Sequence, residues 1–155
     1  DKSTLVVTIT MAGFSPTVAH LASAAGRVFV GTSDGKLFEM DASGRVQGMH
    51  ALGEGWARPV VNSDGSLAAA WCDGLLFYLE HNELRSFAEF EEPPTDIGLL
   101  GKDLFIWKRN RLEVVDRSGH PLWVAEFSKA ITNVATDGDR LFCAAGVLTA
   151  FERTA

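Results

Sequence analysis

One pattern occurs four times along the chain. Arg27-Val-Phe-Val-Gly-Thr-Ser-Asp-Gly-Lys-Leu-Phe-Glu-Met-Asp41-Ala-Ser-Gly44 reads as two short strands with their turns, and it returns at Ser66 to Leu84, at Asp103 to Gly119 and, shortened, at Arg140 to Arg153. Aligned on the second strand, Val28-Phe29-Val30 matches Leu67-Ala68-Ala69, Leu104-Phe105-Ile106 and Leu141-Phe142-Cys143, a period of about 38 residues. No single unit of this size can bury its own apolar face. Strand-sized pieces inside a fixed period of this length are the pattern of stacked propeller blades.

Each period supplies the parts of a blade. A short apolar run comes first: Val18 to Ala22, Val60 to Asn62, Ile97 to Leu100 and Val134 to Thr136. A reversal follows at Ala24-Ala-Gly26, Ser63-Asp-Gly65, Leu100-Gly-Lys102 and Asp137-Gly-Asp139. After the second strand, Ser33-Asp-Gly35 and Cys72-Asp-Gly74 are Asp-Gly hairpin signals. Arg109-Asn110 takes their place in the third copy, where Asn110 suits the left-handed corner of a tight turn. Third strands run over Lys36 to Asp41, Leu75 to Glu80, Arg111 to Asp116 and Val147 to Glu152. Outer strands follow at Val46 to His50, Leu84 to Phe90 and Pro121 to Phe127.

The fourth copy has no outer strand of its own, and the chain begins with a spare one, Thr4 to Thr10. The expected fold is therefore all-β: one domain, 1–155, a four-bladed propeller of four-stranded antiparallel blades closed by its N-terminal strand. The blades cover about 17–50, 59–90, 96–127 and 131–155, with strand 4–10 completing the last.

Composition narrows the function. A formal charge of −6 and a pI near 5.1 disfavour a phosphate backbone as partner. No run is long and apolar enough for a membrane-spanning helix, so no membrane insertion is expected. Cys72 and Cys143 fall at non-equivalent positions of different repeats, and are read as small unpaired hydrophobes. Four scattered histidines and no Cys/His spacing give no metal ligand set. Nothing has the context of a nucleophile elbow, a P-loop or a dinucleotide fingerprint, so no catalytic residues and no cofactor are assigned. Asp34, Asp41, Asp73 and Asp116 recur with the period and are read as caps of their own turns.

The stretch Val114-Val-Asp116-Arg-Ser-Gly-His-Pro-Leu-Trp123 resembles the quinoprotein-like (PQQ-like) propeller repeat, and Val28 to Gly35 with Glu39 to Val46 resembles its preceding parts. The resemblance implies a propeller with Trp123 as a docking tryptophan; Gly48 and Phe87 stand at its equivalent positions in the first two copies. Quinone-dependent dehydrogenases of that family typically use larger rings with added calcium and substrate ligands. The resemblance therefore implies the non-catalytic members, which serve as scaffolds, one being a lipoprotein of bacterial outer-membrane assembly.

The functional expectation is a non-enzymatic scaffold or docking module with a protein partner. Its candidate contacts are Trp56 and Arg58 in Ala51 to Pro59, Phe14 in Met11 to Thr17, and Glu91 and Glu92 ahead of Pro93-Pro94. Trp and Arg are the side chains that most often anchor interfaces. Trp56 could instead plug the gap between blades one and two, and the acidic run could be a solvated loop. A carbohydrate-binding or enzymatic propeller, and a homodimer forming an eight-bladed ring, stay open as alternatives.

Overall fold

The computed structural model describes residues 18–80, 83–89, 93–116, 119–137 and 140–152. They contain fifteen strands and no helix. Sheet one is β1 (Val18–Ala24), β2 (Arg27–Thr32), β3 (Lys36–Asp41) and β4 (Val46–Ala51), in that order. Sheet two is β5 (Arg58–Val61), β6 (Ala68–Cys72), β7 (Leu75–Glu80) and β8 (Glu83–Glu89). Sheet three is β9 (Asp96–Leu100), β10 (Asp103–Lys108), β11 (Arg111–Val115) and β12 (Pro121–Glu126). The fourth sheet has three described strands, β13 (Asn133–Asp137), β14 (Arg140–Ala144) and β15 (Leu148–Glu152). All pairings are antiparallel, in simple meanders. This is a four-bladed β-propeller. The expected closing strand, 4–10, lies outside the described residues.

The turns are made by the chemistry that marked them. Ala25-Gly26 and Asp73-Gly74 have positive φ at both positions, the geometry whose twist suits a two-residue hairpin. At the third hairpin the left-handed corner falls on Arg109 (φ 52°) and not, as expected, on Asn110. The side-chain amide of Asn110 instead donates to the carbonyl of Phe127, 2.8 Å away, tying the turn to the end of blade three. Two of the recurring aspartates, Asp41 and Asp116, cap their turns, while Asp34 accepts from the side chains of Thr32 and Lys36 at 2.6 and 2.5 Å. Asp41 accepts from the backbone N–H of Ser43 and Arg45 at 2.8 and 3.1 Å, and Asp116 from that of His120 at 3.0 Å.

Three apolar clusters lie between successive blades. Phe29 and Leu37 of blade one pack against Ala68, Ala70, Phe77 and Leu79 of blade two. Ala69, Leu76 and Tyr78 pack against Leu99, Leu104 and Ile106 of blade three. Phe105, Trp107 and Leu112 pack against Val134, Leu141 and Cys143 of blade four. Both faces of the middle strands are thus buried, which is why Leu75 to Leu79 reads as a continuous apolar run. Trp123 docks edge-on against Phe151 of the next blade, ring centroids 4.6 Å apart.

The clusters correct the alignment of the repeats. Phe29 and Phe105 face the following blade, and in blade two the residue doing so is Ala69, not Ala68. The cause is the first turn of blade two. Blades one and three reverse through two residues, between Ala24 and Arg27 and between Leu100 and Asp103. Blade two needs the longer turn 63–66, closed by Asn62, whose side chain accepts from the N–H of Leu67 at 3.0 Å and donates to Ser66 Oγ at 3.1 Å.

Candidate interaction face

In each blade the inner strand starts at the same end of the ring. Cross-strand partners give the equivalences: His20 opposes Gly31, Arg58 opposes Trp71, Asp96 opposes Trp107 and Asn133 opposes Ala144. His20, Arg58, Asp96 and Asn133 are therefore the same position of four successive repeats. They set polar side chains at the mouth of the ring, just above its apolar joints.

Arg58, expected as a binding residue, is held in place here. Its Nη1 donates to the carbonyl of Thr95 at 2.7 Å and lies 3.3 Å from Asp96 Oδ1. The guanidinium thus bridges blades two and three. Half-buried His20 sits on the other side: burial pushes its imidazole below the ordinary value, Arg58 pushes the same way, and Asp96 pulls back.

Trp56 is 58% exposed, so it does not plug the gap between blades. Its indole meets the edge of His20, centroids 6.4 Å apart and planes at 67°. It is presented on a fixed crossing. Residues 52–57 link β4 to β5, and they lie directly on the β2–β3 end of blade one. Leu52 N–H donates to the Gly35 carbonyl at 2.8 Å and Ala57 N–H to the Thr32 carbonyl at 3.0 Å. The approach is so close that a Cβ on Gly31 would sit 2.0 Å from the Ala57 carbonyl oxygen, and one on Gly35 2.1 Å from that of Gly53. Two glycines therefore buy a rigid pedestal for an exposed tryptophan.

Phe14, Glu91 and Glu92 lie outside the described residues. The expectation named Trp56 and Arg58 of this face and missed His20, Asp96 and Asn133. The repeat itself carried the signal, because all three share the periodic position of Arg58. Among the described residues no group of three or more His, Cys, Asp or Glu could hold a metal ion, and no helix is long and apolar enough to cross a membrane. Cys72 and Cys143 are free and buried, and burial pushes both thiols up.

No family model and no curated protein matches the chain. Solved structures do match it. The computationally designed Ika4 protein superposes with a TM-score of 0.71 at 13% identity, over 92% of this chain and 95% of its own. BBS1N, solved in complex with ARL6DN, gives 0.66 at 17% identity, over 81% of this chain and 46% of its own. BamB from Moraxella catarrhalis gives 0.64 at 14% identity, over 89% of this chain and 42% of its own. The chain thus spans less than half the length of the last two. At these identities the likeness is one of fold: the chain is similar in architecture to propellers of quite different sequence.

Proposed function

We propose that the chain is a non-enzymatic protein-interaction module of the quinoprotein-like propeller type. Its binding face is the mouth of the ring centred on Trp56. The supporting observation is that a large aromatic side chain, 58% exposed, stands on a crossing pinned to blade one, beside a polar ring whose Arg58 and Asp96 are already paired. A protein partner gains the area of an indole there at little ordering cost, because the pedestal is preformed. Arg58 serves as the brace of this face and Trp56 as its anchor. BBS1N, a neighbour in fold, was itself solved in complex with another protein, ARL6DN.

The test is affinity capture with the immobilised chain, comparing wild type with Trp56→Ala by quantitative mass spectrometry. Binding of the specific partner is expected to fall by about 10-fold or more, the loss typical of an anchor tryptophan. Arg58→Lys, which keeps the charge, is expected to retain most of it. A partner captured equally by wild type and Trp56→Ala would refute this face.

A further inference from the structure

The joints between blades one and two, two and three, and three and four fill one periodic place in different ways. Phe29, Ala69 and Phe105 each face the next blade, and two residues ahead of them stand Arg27, Leu67 and Asp103. This place lies at the start of the second strand, the end of the blade opposite the mouth that holds Trp56. In the first joint the chain puts its own cation there. Arg27 Cζ lies 5.0 Å over the Phe29 ring, its Nε donates to Glu39 Oε1 at 2.9 Å, and its Nη1 donates to the Gly65 carbonyl of blade two. In the second joint Leu67, 2% exposed, fills the place with an aliphatic side chain.

The third joint leaves it open. Asp103 stands where Arg27 does, and Val114, opposite Phe105, stands where Glu39 does, opposite Phe29. A cleft of about 570 Å³ opens there between blades three and four, with Asp103, Val114, Trp123, Leu141 and Phe151 in its lining. Part of its wall is aromatic. Trp123 opposes Val114 where blade one has only Gly48 opposite Glu39, and it meets Phe151 edge-on. Blade four's counterpart of Arg27 is Arg140. It alternates with Leu141 onto the other face of β14 and lies 3.8 Å from Asp137 Oδ2, so that arginine serves a different face.

We propose that this cleft takes an arginine side chain of a partner protein. The guanidinium is received by the Asp103 carboxylate through paired N–H donors, and the methylene stem lies along Trp123 and Phe151. A carboxylate has about four acceptor sites, so contacts of Asp103 within the chain leave room for that fork. The first joint shows that this end of a joint accommodates a guanidinium over an aromatic ring, and the exchange of arginine for aspartate makes a cation the complementary guest. A formal charge of −6 favours encounter with a basic partner. The cleft is at the far end of the ring from Trp56, so this inference goes beyond that face and does not depend on it.

The test is an NMR titration of the isotope-labelled full chain with N-acetyl-arginine amide at low salt. A saturable change is expected at the Asp103 amide and the Trp123 indole N–H. Asp103→Asn, which keeps the shape and removes the charge, is expected to weaken binding about 10-fold or more, the cost of losing a charge-assisted bond. Asp103→Arg, which gives this joint the residue of the first, is expected to keep the fold and abolish binding. N-acetyl-norleucine amide has the stem without the cation and guanidinium ion the cation without the stem; both are expected to bind much more weakly than the arginine. Trp56→Ala is expected to bind it as wild type does. No saturable change at the two signals would overturn the proposal. Undiminished binding by Asp103→Asn or by folded Asp103→Arg, equal binding of either partial ligand, or loss of binding in Trp56→Ala would overturn it equally.

Discussion

Blade three and blade four present the same face under opposite conditions. On blade three, Gly98, Phe105 and Val114 form one cross-strand row and Asp96, Trp107 and Leu112 the next. Phe105, Trp107 and Leu112 are at most 7% exposed, and Gly98 is glycine because the Phe105 ring lies where its Cβ would be, 2.0 Å from the nearest ring atom. On blade four the rows are Ala135, Phe142 and Ala150, then Asn133, Ala144 and Leu148. The pattern is the same, yet Phe142 is half-buried and Leu148 is solvated. The difference teaches that burial here belongs to the joint, not to the blade. A single sheet positions the side chains, and only the next sheet removes them from water.

The largest expected effect follows from that contrast. Leu37→Ala, Leu76→Ala and Leu112→Ala each leave a cavity in a closed joint and are expected to cost about 2–5 kcal/mol. Leu148→Ala, measured by urea unfolding at low protein concentration, is expected to stay within about 0.5 kcal/mol of wild type. Similar losses at all four leucines would break the comparison, by showing that blade four is covered after all.

A second comparison concerns one periodic position with opposite fillings. Trp107 occupies it in the joint between blades three and four, and Gly31 in the joint between one and two. Where the tryptophan fills the joint with its own ring, the glycine admits the crossing backbone at Ala57. Gly31→Ala is therefore expected to destabilise by about 1–3 kcal/mol, as overpacking does when the obstruction is backbone. It should also disturb Trp56, so indole fluorescence should shift along with the loss of stability. Unchanged stability and spectrum would show that the crossing is not seated on blade one.

Much of this was legible in the sequence. The period, the Asp-Gly turns and the strand-sized apolar runs gave four blades, because each signal is local and the same turn chemistry recurs. What stayed hidden depends on neighbours far along the chain. Ala69 and Ala68 are indistinguishable by type, and the turn closed by Asn62 decides which of them faces blade three. That Thr95 and Asp96, 37 and 38 positions on, hold the Arg58 guanidinium is invisible within its own repeat. Leu148 occupies the periodic place of Leu37, Leu76 and Leu112, and nothing within its own repeat announces that it is exposed where they are buried.

The smallest effect is a titration at the mouth of the ring. Burial, then Arg58, hold the His20 imidazole below its ordinary 6.5, so the unfolded chain binds that proton more readily than the folded one. Stability from this site is full above about pH 6.5 and declines as pH falls from there through the folded-state value. Asp41 and Asp64 act lower on the scale. Their turn hydrogen bonds, to Ser43 and Ser66 first, hold both carboxyls below 3.8, so their contribution persists above that value and is lost as pH falls through their folded-state values. The two regions can be separated by thermal unfolding across pH. His20→Gln is expected to flatten the upper part of the acid decline and leave the lower part intact, and Asp41→Asn the reverse. Asp96→Asn sharpens the comparison, because removing the one group that raises the His20 value should move the upper decline further down the scale. An upper decline that ignores both His20→Gln and Asp96→Asn would place its origin outside this ring of periodic polar residues.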